Sequence, residues 1–347
     1  MNFITGARAV FYSAVLIALA PAGQTFAQEK VKVAILGGAS DAGIFVSLGK
    51  GWFKEAGLDV ETIRMDSGAR MIGPMSTGEI DVGTGVVSAG FYNAVLRGIK
   101  VKVLASKARN VKGQSYQSIT VRKDLMDSGA VKSLKDLVGR RFALVAPGAT
   151  DGPTLSEAMA MVGKTYDDVT IVYLGFPAQV ASYERKGIDA SMLPEPFRTQ
   201  AIAKGLVREL ITIGEIRNNQ EVGVITYSEK FSTQRTAVAQ KFMNAYVRGI
   251  RFYDGAIVNG RLTGKNAAEV IEIFSRYSTL KDKKLLASIV PTAIDPDGQI
   301  NLKSFEADYA FYRARGMVKG EVNVAGIIDR RFIDQAIKDM GPYKKQQ

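Results

Sequence analysis

The chain of 347 residues contains no cysteine and no histidine. The first absence excludes a disulfide framework, a thiolate nucleophile and a thiol-attached lipid anchor. A chain this long can hold itself together by its core and needs no disulfides. The second absence excludes the Ser-His and Cys-His nucleophile pairs. Together they exclude any zinc site built on His or Cys ligands. Carboxylates, lysine and tyrosine remain as acid–base groups. No metal, cofactor or covalent step is expected.

Long apolar runs are missing too, except near the start. Arg8 is the one charge among the first 27 residues, and an apolar run AVFYSAVLIALA follows it over 9–20. Pro21, Gly23 and then Thr25-Phe26-Ala27 come next. A basic end, an apolar middle and small residues before Gln28 form a secretory signal, with the expected cut after Ala27. The run is short for a bilayer span, which needs ~20 apolar residues. Secretion without a lipidated cysteine points to a freely diffusing periplasmic protein.

The net charge is +12, from 46 Lys and Arg against 34 Asp and Glu. The basic residues are scattered among acids, the nearest thing to a run being Lys344-Lys345. A nucleic-acid surface would cluster them with groove-reading or aromatic elements, so no nucleic-acid partner is expected. The excess reads as solvated faces, with a field that mildly favours anionic solutes.

In the remainder, short β-branched runs alternate with helical spacing. Strands are expected at 31–36 (VKVAIL), 58–63, 80–83 and 101–105. The rhythm restarts with 117–121, 141–145, 169–173, 190–193, 207–211 and 222–227, and a short helix over 133–138 capped by Ser133. This βαβα order predicts an α/β structure with largely parallel sheets. Beyond Tyr227 the spacing turns helical. Over 236–258, Val238, Phe242, Ala245, Gly249, Phe252 and Ala256 recur at threes and fours on one face. Further helices are expected at 266–277, 281–288, 302–315 and 329–338. Asp295-Pro296-Asp297-Gly298 reads as a turn, since the ligand spacing of an EF-hand is absent. The strands near 117–121 and 222–227 are candidates for paired crossings between two lobes.

Several strand-to-helix loops are small and polar: Gly37-Gly38-Ala39-Ser40-Asp41, Asp66-Ser67-Gly68-Ala69, the stretch with Gly85, Val87 and Ser88, and Gly148-Ala149-Thr150-Asp151-Gly152. Each would cap a helix start, and a helix start carries partial positive charge. In open α/β sheets ligands lie beyond the carboxyl ends of the strands, so four such loops over two lobes suggest a site. Gly83-Thr84-Gly85 lacks the third glycine of a dinucleotide fingerprint, and 148–154 lacks the lysine of a phosphate loop. The loop Leu193-Pro194-Glu195-Pro196-Phe197 offers a hydrogen-bond acceptor in Glu195 and an apolar wall in Phe197.

The segment FVSLGKGWFKEAGLDVE over 45–61, STGEIDVG over 76–83 and NAVLRG over 93–98 resemble the nitrate/sulfonate/taurine-type (NMT1/THI5-like) solute-binding proteins of ABC importers, a family that includes binders of thiamine-pyrimidine precursors. SLKDLVG over 133–139, KGIDA over 186–190 and the LPEPF loop extend the resemblance over nearly the whole mature chain. It implies a type II periplasmic-binding-protein fold: two α/β lobes joined by a two-strand hinge, with a helical C-terminal portion. Residues 28–118 and 224–347 would form the first lobe and 119–223 the second. Carried over by position, the cleft residues would be Ser40, Asp41, Ser67, Gly68, Val87, Ser88, Thr150, Asp151, Glu195 and Phe197. The implied partners are a small solute, an organic anion such as a sulfonate or carboxylate or a nitrate-like ion, and an ABC permease at the inner membrane, served by a monomer. Asp41 and Asp151 oppose an anion if both face the cleft. The family's enzyme relatives use a histidine with a cysteine-rich motif, or a cysteine nucleophile, and this chain has neither residue. A sensor role and a cleft enzyme using Asp41, Asp151 or Glu195 remain as alternatives.

Overall fold

The computed structural model describes Met1 and residues 28–345. The expected secretory segment lies outside the described residues. Among the described residues, no helix is long and apolar enough to cross a membrane.

Two five-stranded mixed sheets organise the chain. The first holds β1 (Glu29–Ile35), β2 (Leu58–Arg64), β3 (Val82–Gly83) and β4 (Lys102–Asn110). The second holds β5 (Gln117–Arg122), β6 (Arg141–Leu144), β7 (Thr170–Tyr173), β8 (Ala190–Pro194) and β9 (Val207–Thr212). The chain then returns, and β10 (Gln220–Tyr227) lies between β3 and β4, antiparallel to both. The first sheet runs β2-β1-β3-β10-β4 and the second β7-β6-β8-β5-β9. In each sheet the βαβ strands are parallel and one strand reverses the direction. The reversal comes at β10 and β5, the strands that adjoin the two passages between sheets. Two connections, 111–116 and 213–219, therefore join the lobes, the second carrying the short helix Ile213–Ile216.

Each sheet buries apolar strands under helices. In the first lobe the helix Thr236–Asp254 turns Phe242, Tyr246, Ile250 and Tyr253 into the core. It packs against the helix Ala42–Gly49, where the Ser47 hydroxyl donates to the carbonyls of Gly43 and Ala245, both at 2.8 Å. Every residue of β10 is buried.

The helical C-terminal portion differs from expectation at one place. The helix expected over 236–258 stops at Asp254, and Ile257–Val258 pairs with Arg261–Leu262 as a hairpin. Asn259 and Gly260 both adopt positive φ, the turn that an Asn-Gly pair favours. The periodicity of the helix face had masked this local turn chemistry. The 133–138 segment is a single 3₁₀ turn, Leu134–Leu137, closed by a reciprocal capping box between Ser133 and Asp136. β4 runs five residues past the expected end at Ala105.

Candidate binding cleft

A cavity of about 710 Å³ lies between the two lobes. Its wall is made by the loops that follow β1, β2 and β3 of the first sheet and β6, β7 and β8 of the second. These are the carboxyl ends of the parallel strands, so the fold itself delivers the six loops to one gap.

Eight of the ten sequence-derived candidates line this cavity: Ser40, Ser67, Gly68, Ser88, Thr150, Asp151, Glu195 and Phe197. Asp41 and Val87 do not. Val87 packs into the apolar core under the first sheet. Asp41 is fully buried behind the wall. Its Oδ2 accepts the N–H groups of Leu36 (3.1 Å) and Gly37 (2.6 Å), and its Oδ1 accepts Thr84 Oγ1 (2.8 Å) and Lys107 Nζ (2.7 Å). The carboxylate is thus a clamp for the β1 loop, and its charge is met by a cation. The opposition to an anionic solute that Asp41 would raise disappears.

Lys107 is the main wall residue that the sequence reading passed over. It is 1 % exposed, lies on β4, lines the cavity and also donates to Ser40 Oγ at 3.2 Å. Burial pulls its ammonium below the usual lysine range, and Asp41 pulls the other way. A lone lysine inside VLASKA, flanked by buried small and apolar residues, was its signal. Phe176, Arg64 and Tyr116 also line the cavity and were not singled out.

Glu195 sits in the wall, but its oxygens are already committed. Arg198 approaches Oε1 at 2.8 Å, the Val290 N–H reaches Oε1 at 3.3 Å, and the Thr199 N–H reaches Oε2 at 3.1 Å. Asp151 is less well served. Its Oδ2 accepts the Val145 N–H at 2.5 Å, while Oδ1 has no hydrogen-bond partner among the described residues. Burial pushes its carboxyl up to about 7, against the pull of nearby backbone N–H groups.

Four helix starts in the wall, Gly68–Thr77, Asp151–Ala160, Phe176–Glu184 and Phe197–Ala203, have no side-chain cap from the residue before them. The helix Gly68–Thr77 follows Ser67, whose hydroxyl makes no capping bond, and Phe176–Glu184 follows Gly175. Orphan N–H groups and the helix dipole together favour an anion there. Ser88, by contrast, caps its own helix by accepting the Phe91 N–H at 3.2 Å.

The lobes touch across the gap. The Ala89 N–H donates to the Gly148 carbonyl at 2.9 Å. Gln220 Nε2 donates to Thr154 Oγ1 at 2.7 Å. On the far side the helix Leu302–Ala314 leans on the second lobe, where Phe311 meets Tyr166 edge-on, and Arg315 stacks over Tyr166 and pairs with Asp167 at 2.6 Å. Among the described residues no group of acidic side chains could hold a metal ion.

Known proteins share this architecture. The periplasmic aliphatic sulphonate binding protein SsuA of Escherichia coli superposes with a TM-score of 0.68 at 16% identity, over 88% of this chain and 99% of that one. The periplasmic nitrate-binding protein NrtA of Synechocystis does so with 0.71 at 15%, over 90% and 89%. At such identities the likeness shows the fold, a two-lobed α/β binding-protein fold. A curated relative, the 4-amino-5-hydroxymethyl-2-methylpyrimidine phosphate synthase of Aspergillus parasiticus, is 26% identical over 288 residues, 78% of this chain and 72% of its own length. The family model described as the NMT1-like family matches residues 25–274, well over half of the sequence, and the chain belongs to that family.

Proposed function

We propose that the chain is the periplasmic solute-capturing component of an ABC importer, holding a small organic anion between its lobes and presenting it to a permease. The observation that carries this reading is a cavity walled by strand-end loops from both sheets. A solute that touches both walls binds the closed form better than the open form, and that difference is what drives closure. The second lobe, inserted within the first, would turn on the two crossings. The anion would lie at the uncapped helix starts of Gly68–Thr77 and Phe176–Glu184, beside Ser40, Ser67, Thr150 and Lys107. Two proteins of similar fold are named as binders of sulphonate and nitrate, which accords with this chemistry. The secretory segment ending at Ala27 would place the mature monomer in the periplasm.

No covalent step is needed. The test is mass spectrometry of whatever co-purifies with the protein, followed by titration of that compound with thermal unfolding and X-ray scattering as readouts. A stoichiometric small molecule that raises the Tm and compacts the protein is the expected result. Chemical conversion of the bound compound by the pure protein would overturn the receptor reading in favour of an enzyme, the class to which the Aspergillus relative is assigned by name.

A further inference from the structure

The second lobe contributes two aromatic rings to the cavity, each packed on an apolar core cluster of that lobe yet left partly open in the cavity wall. Phe176 and Phe197 each stand at the first position of a helix, Phe176–Glu184 and Phe197–Ala203, in the loops after β7 and β8. Both line the cavity and both remain half-buried. Their ring centroids are 5.8 Å apart with planes inclined at 31°. At that separation the rings already pack on each other, so they offer a joint apolar face and leave no slot between them. An apolar surface kept open inside a concavity needs a ligand to cover it.

From this we infer that the solute carries a planar aromatic body that lies on the Phe176–Phe197 face, with its charged head at the uncapped helix starts. Three observations carry the assignment. The ring pair is open to the cavity. The cavity, about 710 Å³, falls within the range of pockets that hold drug-sized organic ligands, and a nitrate ion would leave most of it wet. Val145, Pro147 and Pro194 add apolar surface to the second-lobe wall, beside the polar Thr150, Asp151 and Glu195. Ser40, Ser67 and Lys107 of the first lobe and Thr150 of the second supply the polar contacts, so the ring rests on the second lobe while the head is held from both, and closure brings these contacts together. This inference rests on the receptor reading and narrows it to aromatic carboxylates and sulfonates.

The experiment is calorimetric titration of the purified mature protein, freed of any bound compound, with three sets of probes. The sets are benzoate and benzenesulfonate; cyclohexanecarboxylate; and acetate, methanesulfonate and nitrate. The aromatic anions are expected to bind tenfold or more tighter than the small anions, because each buries a ring that the others lack. They should also bind better than the saturated ring, since an aromatic pair gains beyond its buried area. The Phe176→Leu and Phe197→Leu double variant keeps an apolar wall and should lose the preference for the aromatic over the saturated ring while still binding both. Wild-type protein alone decides the matter if that variant does not fold. Equal or tighter binding of nitrate, acetate or methanesulfonate overturns the aromatic assignment and leaves the receptor reading standing. An aromatic preference that survives in the folded double variant overturns the role of the two rings. Binding by none of the probes overturns the aromatic assignment, and it takes the receptor reading with it if no co-purifying compound binds either.

Discussion

The ammonium of Lys107 stands 2.7 Å from Asp41 Oδ1, and neither side chain is more than 1 % exposed. The pair ties β4 to the loop after β1, and that loop shapes the cleft wall. Removing one partner of such a pair leaves a buried charge without compensation, at a cost of about 3–5 kcal/mol. Lys107→Met is therefore expected to lower unfolding stability by that amount in a urea titration at neutral pH. Asp41→Asn leaves the buried Lys107 ammonium without its anion and should cost a similar amount, although its amide oxygen can still accept the Leu36 or Gly37 N–H. A loss below about 1 kcal/mol for Lys107→Met would contradict the clamp.

Gly148 and Ala89 meet across the gap. Gly148 has φ +68, and a Cβ built on it would lie 2.6 Å from the Cβ of Ala89. Gly148→Ala should hold the lobes apart, enlarging the radius of gyration in scattering and weakening solute binding tenfold or more. Gly163→Ala is the control, because it has φ +69 and nothing within 4 Å. That substitution should cost about 1–2 kcal/mol of stability from backbone strain alone and leave scattering and affinity unchanged. Equal effects of the two variants on affinity would remove the cross-lobe contact from the account.

Asp151 gives a pH dependence whose sign follows from its raised carboxyl. The unfolded group releases its proton near pH 4 and the folded group near 7. Between those values the folded state holds a proton that the unfolded state has lost. The stability this group contributes is full below about pH 4 and is lost as pH rises through about 7, by about 1.4 kcal/mol per pH unit. Asp308, also pushed up to about 7 by burial, adds a slope of the same sign. The stability difference between wild type and Asp151→Asn isolates the first group. It should shrink from pH 4 to 7 and be flat from 7 to 9. A difference that stays constant from 4 to 7 would contradict it.

The contact of Arg315 with Asp167 and Tyr166 links the end of the helix Leu302–Ala314 to the second lobe away from the cavity wall. The pair is partly exposed, with Arg315 31% and Asp167 68% open to solvent, so Arg315→Ala should cost no more than about 1 kcal/mol of stability. Its effect should appear in the opening equilibrium, as a few-fold weaker solute affinity and a larger mean radius in the unliganded protein. A stability loss of several kcal/mol with unchanged scattering would assign the contact to folding instead.

The strand positions were legible in the sequence because β-branched runs such as VKVAIL are buried on a parallel sheet and carry their own pattern. The loops at the strand ends were legible for a related reason, since Ser67, Gly68 and Thr150 announce helix starts that must lie on that edge. What the pattern could not give is which polar groups are consumed internally. Asp41 and Glu195 look like ligand contacts in a loop, yet each is taken up by a cation and backbone N–H groups, with partners from more than forty residues away in the chain: Lys107 and Thr84 for Asp41, and the Val290 N–H for Glu195. Phe176 stayed hidden because a helix-start aromatic carries no local motif, and Lys107 because the lone lysine in VLASKA marks a buried strand cation without saying what it faces. Their position in the wall depends on how two sheets meet. The Asn259-Gly260 hairpin was present as local turn chemistry and was overruled by a longer helical period.

The most direct measurement is small-angle scattering of the ligand-free mature protein, repeated as the co-purifying compound, or benzoate in its place, is added to saturation. The account requires the radius of gyration to fall in a saturable manner with the binding isotherm, and Gly148→Ala to abolish the fall. A bound solute that leaves the radius unchanged in wild type, or an unchanged fall in Gly148→Ala, would contradict it.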